Sequence, residues 1–142
     1  MSLRKGIWIG SGMGGSAASA VGAVVAANEL LPNRLSREEL LKYALAGEEV
    51  ASGSAHADNI APCLFGGLTL VIATNPVRVV SIPVPKEILT VLVHPRHRVE
   101  TRRARDILKT EVPLADHVRQ SAHLGGFIAA CYSNDLDLIK DS

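Results

Sequence analysis

Cysteine, aromatic residues and surplus charge are all scarce in this chain. The two cysteines, Cys63 and Cys131, stand far apart with no metal-type spacing. That argues against a disulfide framework or a thiolate metal site and predicts two buried, reduced thiols. The net charge is only +1, unlike the marked basicity of dedicated nucleic-acid binders. Aromatic residues make up 4% of the chain, and none interleaves with the arginines Arg96, Arg98, Arg102 and Arg103 to stack bases. Those arginines read as a solvated basic face. The apolar run from Ala17 to Ala27 is too short for a bilayer and follows a glycine-rich loop rather than a basic leader. Internal repeats and low-complexity segments are absent from the sequence. These absences predict a cytoplasmic protein with no nucleic-acid partner and no membrane partner.

What is present is a chain of 142 residues, 47% of them hydrophobic. That suits one domain, or part of a larger one, with a real core. Arg4–Ile9 reads as a short strand or extended lead-in. Ser16 to Leu31 reads as a helix of small residues, ended by Pro32 and Asn33. Ser36 and Glu39 have capping-box spacing, ahead of a helix from Arg37 to about Ser52 with Leu40, Leu41, Ala44 and Leu45 on one face. Residues 52–59 read as a loop. Three β-branched runs, Gly66–Thr74, Val77–Pro83 and Ile88–Pro95, read as strands, the first two paired around Asn75-Pro76. Thr101–Leu108 and Leu114–Tyr132 read as helices. This segregated order predicts an α+β fold, with helices packed on a mostly antiparallel sheet.

The densest local signal is Gly10–Ser19, which opens directly into the first helix. Gly10, Gly12 and Gly15 match a dinucleotide fingerprint in form, but that fingerprint needs a second strand and an acidic residue after the helix. A helix follows here instead. No Lys-Ser or Lys-Thr pair closes the loop as a Walker motif would. The loop's own physics gives a third reading. Glycines let backbone amides approach an anion, and a helix N-terminus adds free N–H groups and a positive dipole end. Ser11 and Ser16 add hydroxyls, and a hydroxyl can also ligate Mg²⁺. The plain alternative is a turn that merely lets a helix pack closely.

The stretch resembles the phosphate-binding motif of the GHMP kinases, Pro-x-x-x-Gly-Leu-Gly-Ser-Ser-Ala. Trp8 stands at the proline and Gly15 at the first of the paired serines. The resemblance implies ATP binding by Gly10, Ser11, Gly12, Met13, Gly14, Gly15, Ser16 and Ala17, with Mg²⁺ held by Ser16 and Glu48. Sequence alone does not separate Glu48 from Glu49; the family register favours Glu48. Gly53–Val71, with its His-Ala-Asp-Asn loop leading into Ala-Pro and Gly-Gly, is similar to the members of the family that phosphorylate homoserine.

That resemblance implies ATP and homoserine as ligands, and homoserine carries an ammonium, a carboxylate and a reactive hydroxyl. Asp58, Asn59 and Arg105 are the residue types such a ligand needs. Asp58 suits the ammonium, Asn59 the hydroxyl, and Arg105 the carboxylate through a bidentate fork. Thr101 lies one turn before Arg105, and His56 completes the substrate set. Asp58 and Asn59 are the catalytic candidates, Asp58 as a binding residue before any role as base. Taken alone, Asp58 and Asn59 read better as caps of a following short helix; His56 and the Gly-Gly strand in register reverse that preference. The resemblance further implies a partial GHMP-kinase fold. Residues 1–74 would belong to the nucleotide domain and residues 75–142 to the substrate-side domain, both incomplete. It also implies a preceding segment and a later glycine-rich motif that lie outside this sequence. Incomplete faces predict a homo-oligomer. The competing expectations are a kinase-like domain that binds or self-assembles without turnover, and a GHMP kinase acting on a sugar or mevalonate. The His-Ala-Asp-Asn loop argues against the last.

Overall fold

Three helices and one hairpin build the first unit of the chain. The computed structural model describes residues 2–7, 11–52, 55–93 and 107–142. Helix α1 spans Gly15–Asn28 and α2 spans Arg37–Ser52, close to expectation. Helix α1 stops at Asn28 rather than Leu31, because the buried Asn28 side chain turns to the connection. Its amide donates to the Leu35 carbonyl at 3.1 Å and accepts from the Leu35 N–H at 2.8 Å. One side chain thus satisfies both polar groups of a loop residue. The capping box of α2 is formed: Glu39 N–H donates to Ser36 Oγ at 3.2 Å, and Ser36 N–H donates to Glu39 Oε2 at 2.8 Å. The Ser36 N–H, with the Ser36 side chain second, holds the Glu39 carboxyl pKa below its ordinary value.

A short helix, α3, spans Ala57–Phe65, where the sequence reading placed a loop up to Asn59 and no helix beyond it. Pro62 lies inside it and removes one helical donor. The helix persists because Ala57, Ile60, Ala61 and Leu64 bury one continuous stripe. Ile60 and Ala61 are fully buried. The chain leaves α3 through Gly66 and Gly67, both at positive φ, into strands β1 (Leu68–Thr74) and β2 (Val77–Ile82). These two strands pair around the two-residue connection Asn75-Pro76, which makes the hairpin antiparallel. Val71, Val77 and Val79 turn from the sheet onto the helical core of Ala17, Val21, Leu40, Leu41, Ala44, Leu45, Ile60 and Leu64. Ile60→Ala is expected to cost about 2–5 kcal/mol, read as a lower urea midpoint with an unchanged slope.

The first unit runs to Ser81, so the hairpin stays with the helices; the second comprises the described residues from Ile82 onward. The run Ile88–Val93, expected as a strand, forms none, and Leu89, Val91 and Val93 are exposed. β-branched residues favour a pleated surface only where a neighbouring strand pairs with them, and no strand pairs with this run among the described residues. In the second unit α4 spans Leu114–Ser133 and α5 spans Leu136–Asp141. Asn134, in the left-handed region, ends α4, and the Asp135 carboxylate caps α5 by accepting from Leu138 N–H at 2.9 Å. Gly126 of α4 faces the end of the chain: a Cβ there would meet Ser142 Oγ at 2.9 Å and Leu138 Cδ1 of α5 at 3.9 Å. Most of the expected helix Thr101–Leu108, and all four arginines of the basic face, lie outside the described residues. Cys131 is buried as expected, whereas Cys63 is exposed, because it falls off the buried stripe of α3; both are free thiols. No helix among the described residues is long and apolar enough to cross a membrane.

Candidate active site

The buried stripe of α2 ends in a carboxylate. Leu41, Ala44 and Leu45 face the core, and Glu48 falls next on the same face at 5% exposure. Burying a carboxylate is costly unless hydrogen bonds compensate it. Ser16, in the first turn of α1, donates its hydroxyl to Glu48 Oε1 at 2.9 Å. The two helices approach closely because both are small at the crossing; a Cβ on Gly47 would stand 3.2 Å from the Ala20 Cβ. The next residue, Glu49, is exposed and lines a separate cavity of about 430 Å³ with Glu38, Lys42 and Pro76. None of the glycine-loop residues, Ser16 or Asn59 lines that cavity. Helix phase therefore pairs Glu48, not Glu49, with Ser16.

The loop before α1 is bent by its glycines. Gly12 and Gly14 have φ of 74° and 67°, a region nearly closed to other residues. Met13 N–H donates to Ser11 Oγ at 3.4 Å. Gly14 is the N-cap of α1; no side chain caps that end, and the first turn carries no acidic residue. The first intrahelical bond runs from Ala18 N–H to the Gly14 carbonyl at 2.9 Å. The amides of Gly15, Ser16 and Ala17 therefore precede the ladder and point out of the helix end. With the dipole behind them, they have the chemistry that suits an anion. Two hard oxygen donors, Ser16 Oγ and Glu48 Oε1, converge beside it. Mg²⁺ takes one or two protein oxygens together with phosphate oxygens and water, so this donor set fits that ion.

Helix α3 brings the third element. His56 is its N-cap, with extended backbone and no side-chain cap bond. Asp58 and Asn59 therefore lie inside the first turn rather than capping it. Asp58 is exposed, and its Oδ1 accepts from the Asn59 N–H at 3.0 Å. Asn59 faces the glycine loop: a Cβ placed on Gly14 would lie 2.9 Å from Asn59 Oδ1. The uncapped end of α1 thus carries the Ser16–Glu48 oxygen pair in its first turn and the Asn59 side chain against its N-cap Gly14. Gly10, Thr101 and Arg105 lie outside the described residues. Lys5 was missed from sequence. A Cβ on Gly15 would stand 3.7 Å from Lys5 Nζ, so the ammonium lies beside the helix end. No local motif marks it, because Lys5 precedes the loop where the Walker lysine follows it.

The surroundings of this site match known proteins. Residues 1–67 match the family model described as GHMP kinases N terminal domain. The chain is 49% identical over 140 residues to homoserine kinase of Xylella fastidiosa strain M12, covering 99% of this chain and 42% of that protein. It is 48% identical over 136 residues to homoserine kinase of Methanococcus maripaludis, covering 96% of this chain and 44% of the relative. The crystal structure of homoserine kinase from Cytophaga hutchinsonii superposes with a TM-score of 0.86 at 43% identity, over 95% of this chain and 43% of that one.

The first 67 residues thus match the GHMP kinase N-terminal domain, and the helices with their antiparallel hairpin share the α+β fold of the homoserine kinase structure on which they superpose. The chain is similar to homoserine kinase over nearly its whole length. It spans less than half the length of those relatives.

Proposed function

We propose that the whole protein transfers the γ-phosphoryl group of ATP to the homoserine hydroxyl. The observation that carries this reading is the meeting of three elements. They are the uncapped end of α1, the Ser16–Glu48 oxygen pair at 2.9 Å and the Asn59 amide against Gly14. Similarity to homoserine kinases supports homoserine as the acceptor. The amides of Gly15, Ser16 and Ala17 hold phosphate oxygens. Ser16 and Glu48 would hold Mg²⁺, which when bound neutralises charge on the transferring phosphoryl oxygens. Asn59 orients the attacking hydroxyl, and Asp58, with His56 nearby, receives the ammonium. Thr101 and Arg105 take the carboxylate. Phosphoryl transfer passes through a loose transition state, so positioning and charge stabilisation supply most of the rate and no strong base is required. The protein is read as cytoplasmic and homo-oligomeric. The deciding experiment is ADP release from Mg-ATP with and without homoserine; release that ignores homoserine counts against the acceptor.

Lys5 adds a mobile cation at the helix end. Lys5→Ala is expected to weaken Mg-ADP binding by roughly 2–5-fold at low salt, the scale of an exposed ion pair. The difference should shrink as salt screens it. Equal affinities by calorimetry at low salt would remove Lys5 from the phosphate site.

A second reading is a domain that binds nucleotide and assembles without turnover. Gly15 favours it by lacking the hydroxyl of the family motif, as do exposed apolar residues such as Leu89 and Val91. Nucleotide binding without homoserine-dependent turnover, together with self-association in light scattering, would select it.

A further inference from the structure

Two glycines of the loop adopt the left-handed conformation, and their surroundings differ. Around Gly12 a Cβ would meet nothing within 4 Å. At Gly14 the same atom would lie 2.9 Å from Asn59 Oδ1 and 3.1 Å from both Asn59 Cβ and Cγ. The Asn59 side chain thus occupies the place where a side chain on residue 14 would begin. Asn59 is exposed and its amide can swing aside, whereas its Cβ is carried by the helix backbone. Asn59 sits in the turn of α3 that carries Ile60 and Ala61, both fully buried. Gly14 is tied to α1 as its N-cap, and α1 is anchored by Ala17, which is 1% exposed.

We infer that Gly14 is a positioning residue for the acceptor: its missing Cβ seats the Asn59 amide against the phosphate loop and fixes the acceptor-orienting group relative to the donor. This rests on the reading in which Asn59 orients the homoserine hydroxyl. The contact locks the loop that grips the phosphates to the helix that aims the nucleophile. A side chain at position 14 moves Asn59 away from the line of transfer while leaving the amides of Gly15, Ser16 and Ala17 at the helix end. The loss falls on homoserine kcat/KM more than on nucleotide affinity.

The test is a double-mutant cycle in the whole protein, with Gly14→Ala, Gly14→Asn and Asn59→Ala, each checked for thermal unfolding. Asparagine tolerates the left-handed region but carries a Cβ, so it separates backbone strain from the Asn59 clash. Gly14→Ala and Gly14→Asn are both expected to lower homoserine kcat/KM by about 10²-fold, the scale of a misaligned reacting group. In the Asn59→Ala background either change should cost no more than ~2-fold, because no amide remains to displace. Gly12→Ala, with equal φ strain and open space, should cost the same factor in both backgrounds. Recovery of activity by Gly14→Asn, or an equal loss from Gly14→Ala in both backgrounds, overturns the inference.

If the unmodified protein does not consume homoserine, the proposed reaction fails by itself. The contact is then read from the Asn59 side-chain amide resonance, identified by its loss in Asn59→Ala. Displacement of that resonance by Gly14→Ala, and separately by Mg-ADP, supports the seat. A resonance unmoved by Gly14→Ala overturns it.

Discussion

Glu48→Gln will lower homoserine-dependent ADP release by about 10²-fold or more, the scale of removing one preorganised group that stabilises transition-state charge. The substitution keeps the shape of the side chain and one carbonyl oxygen that can still accept from Ser16. It removes the negative charge that a divalent ion requires. The fold should persist, since the rest of the α2 stripe, Leu40, Leu41, Ala44 and Leu45, is untouched. The discriminating readout is ligand-induced stabilisation, because anything that binds only the native state raises the melting temperature. ADP with Mg²⁺ should stabilise the unmodified protein more than ADP with chelator. In Glu48→Gln that Mg²⁺-dependent increment should vanish, while the chelator-insensitive part, carried by the loop amides, remains. The parallel change Glu49→Gln alters an exposed side chain on a different face of α2 and should leave the increment intact. An unchanged Mg²⁺ increment in Glu48→Gln would falsify the assignment of this carboxylate to the ion.

The contrast between these neighbouring glutamates shows where the sequence stopped. Extending the apolar period of α2 reaches Glu48 from Ala44 but Glu49 from Leu45, so helical spacing leaves both open. The structure separates them by burying Glu48 and exposing Glu49. The glycine loop and the capping box are local, and both form. Other features depend on partners far away in the chain. Helix α3 has a buried stripe of only four residues, and Pro62 with the small residues around His56 obscures it. The run Ile88–Val93 is β-branched, but composition reports the preference for a partner strand, not its presence. Lys5 lies beside Gly15, ten residues further along the chain, and no local spacing marks that pairing. The contact of Asn59 with Gly14 joins residues from separate helices, and no spacing rule encodes it. The helical frame and the glycine loop were therefore readable, whereas the junction between that loop and α3 needed the tertiary fold.

That junction carries the other large expected effect. Asn59→Ala should lower kcat by about 10²-fold, since a misaligned nucleophile forfeits much of the advantage of proximity. Mg-ADP affinity should change little, because the Asn59 side chain is not among the loop amides or the Ser16–Glu48 pair. Local capping makes the opposite prediction. A cap's loss would appear in stability, typically about 1 kcal/mol, and would not separate turnover from binding. The structure already favours the first outcome, because His56 holds the N-cap position and the Asn59 side chain points at Gly14. Asn59→Asp sharpens the comparison. It preserves size and the seat on Gly14 but loses the amide donor and places a negative charge beside the site for phosphate oxygens. If Asn59 only fills space, Asp restores turnover. If its amide aims the hydroxyl, Asp is at least as impaired as Ala, and the homoserine-dependent rate measured at saturating Mg-ATP decides between them.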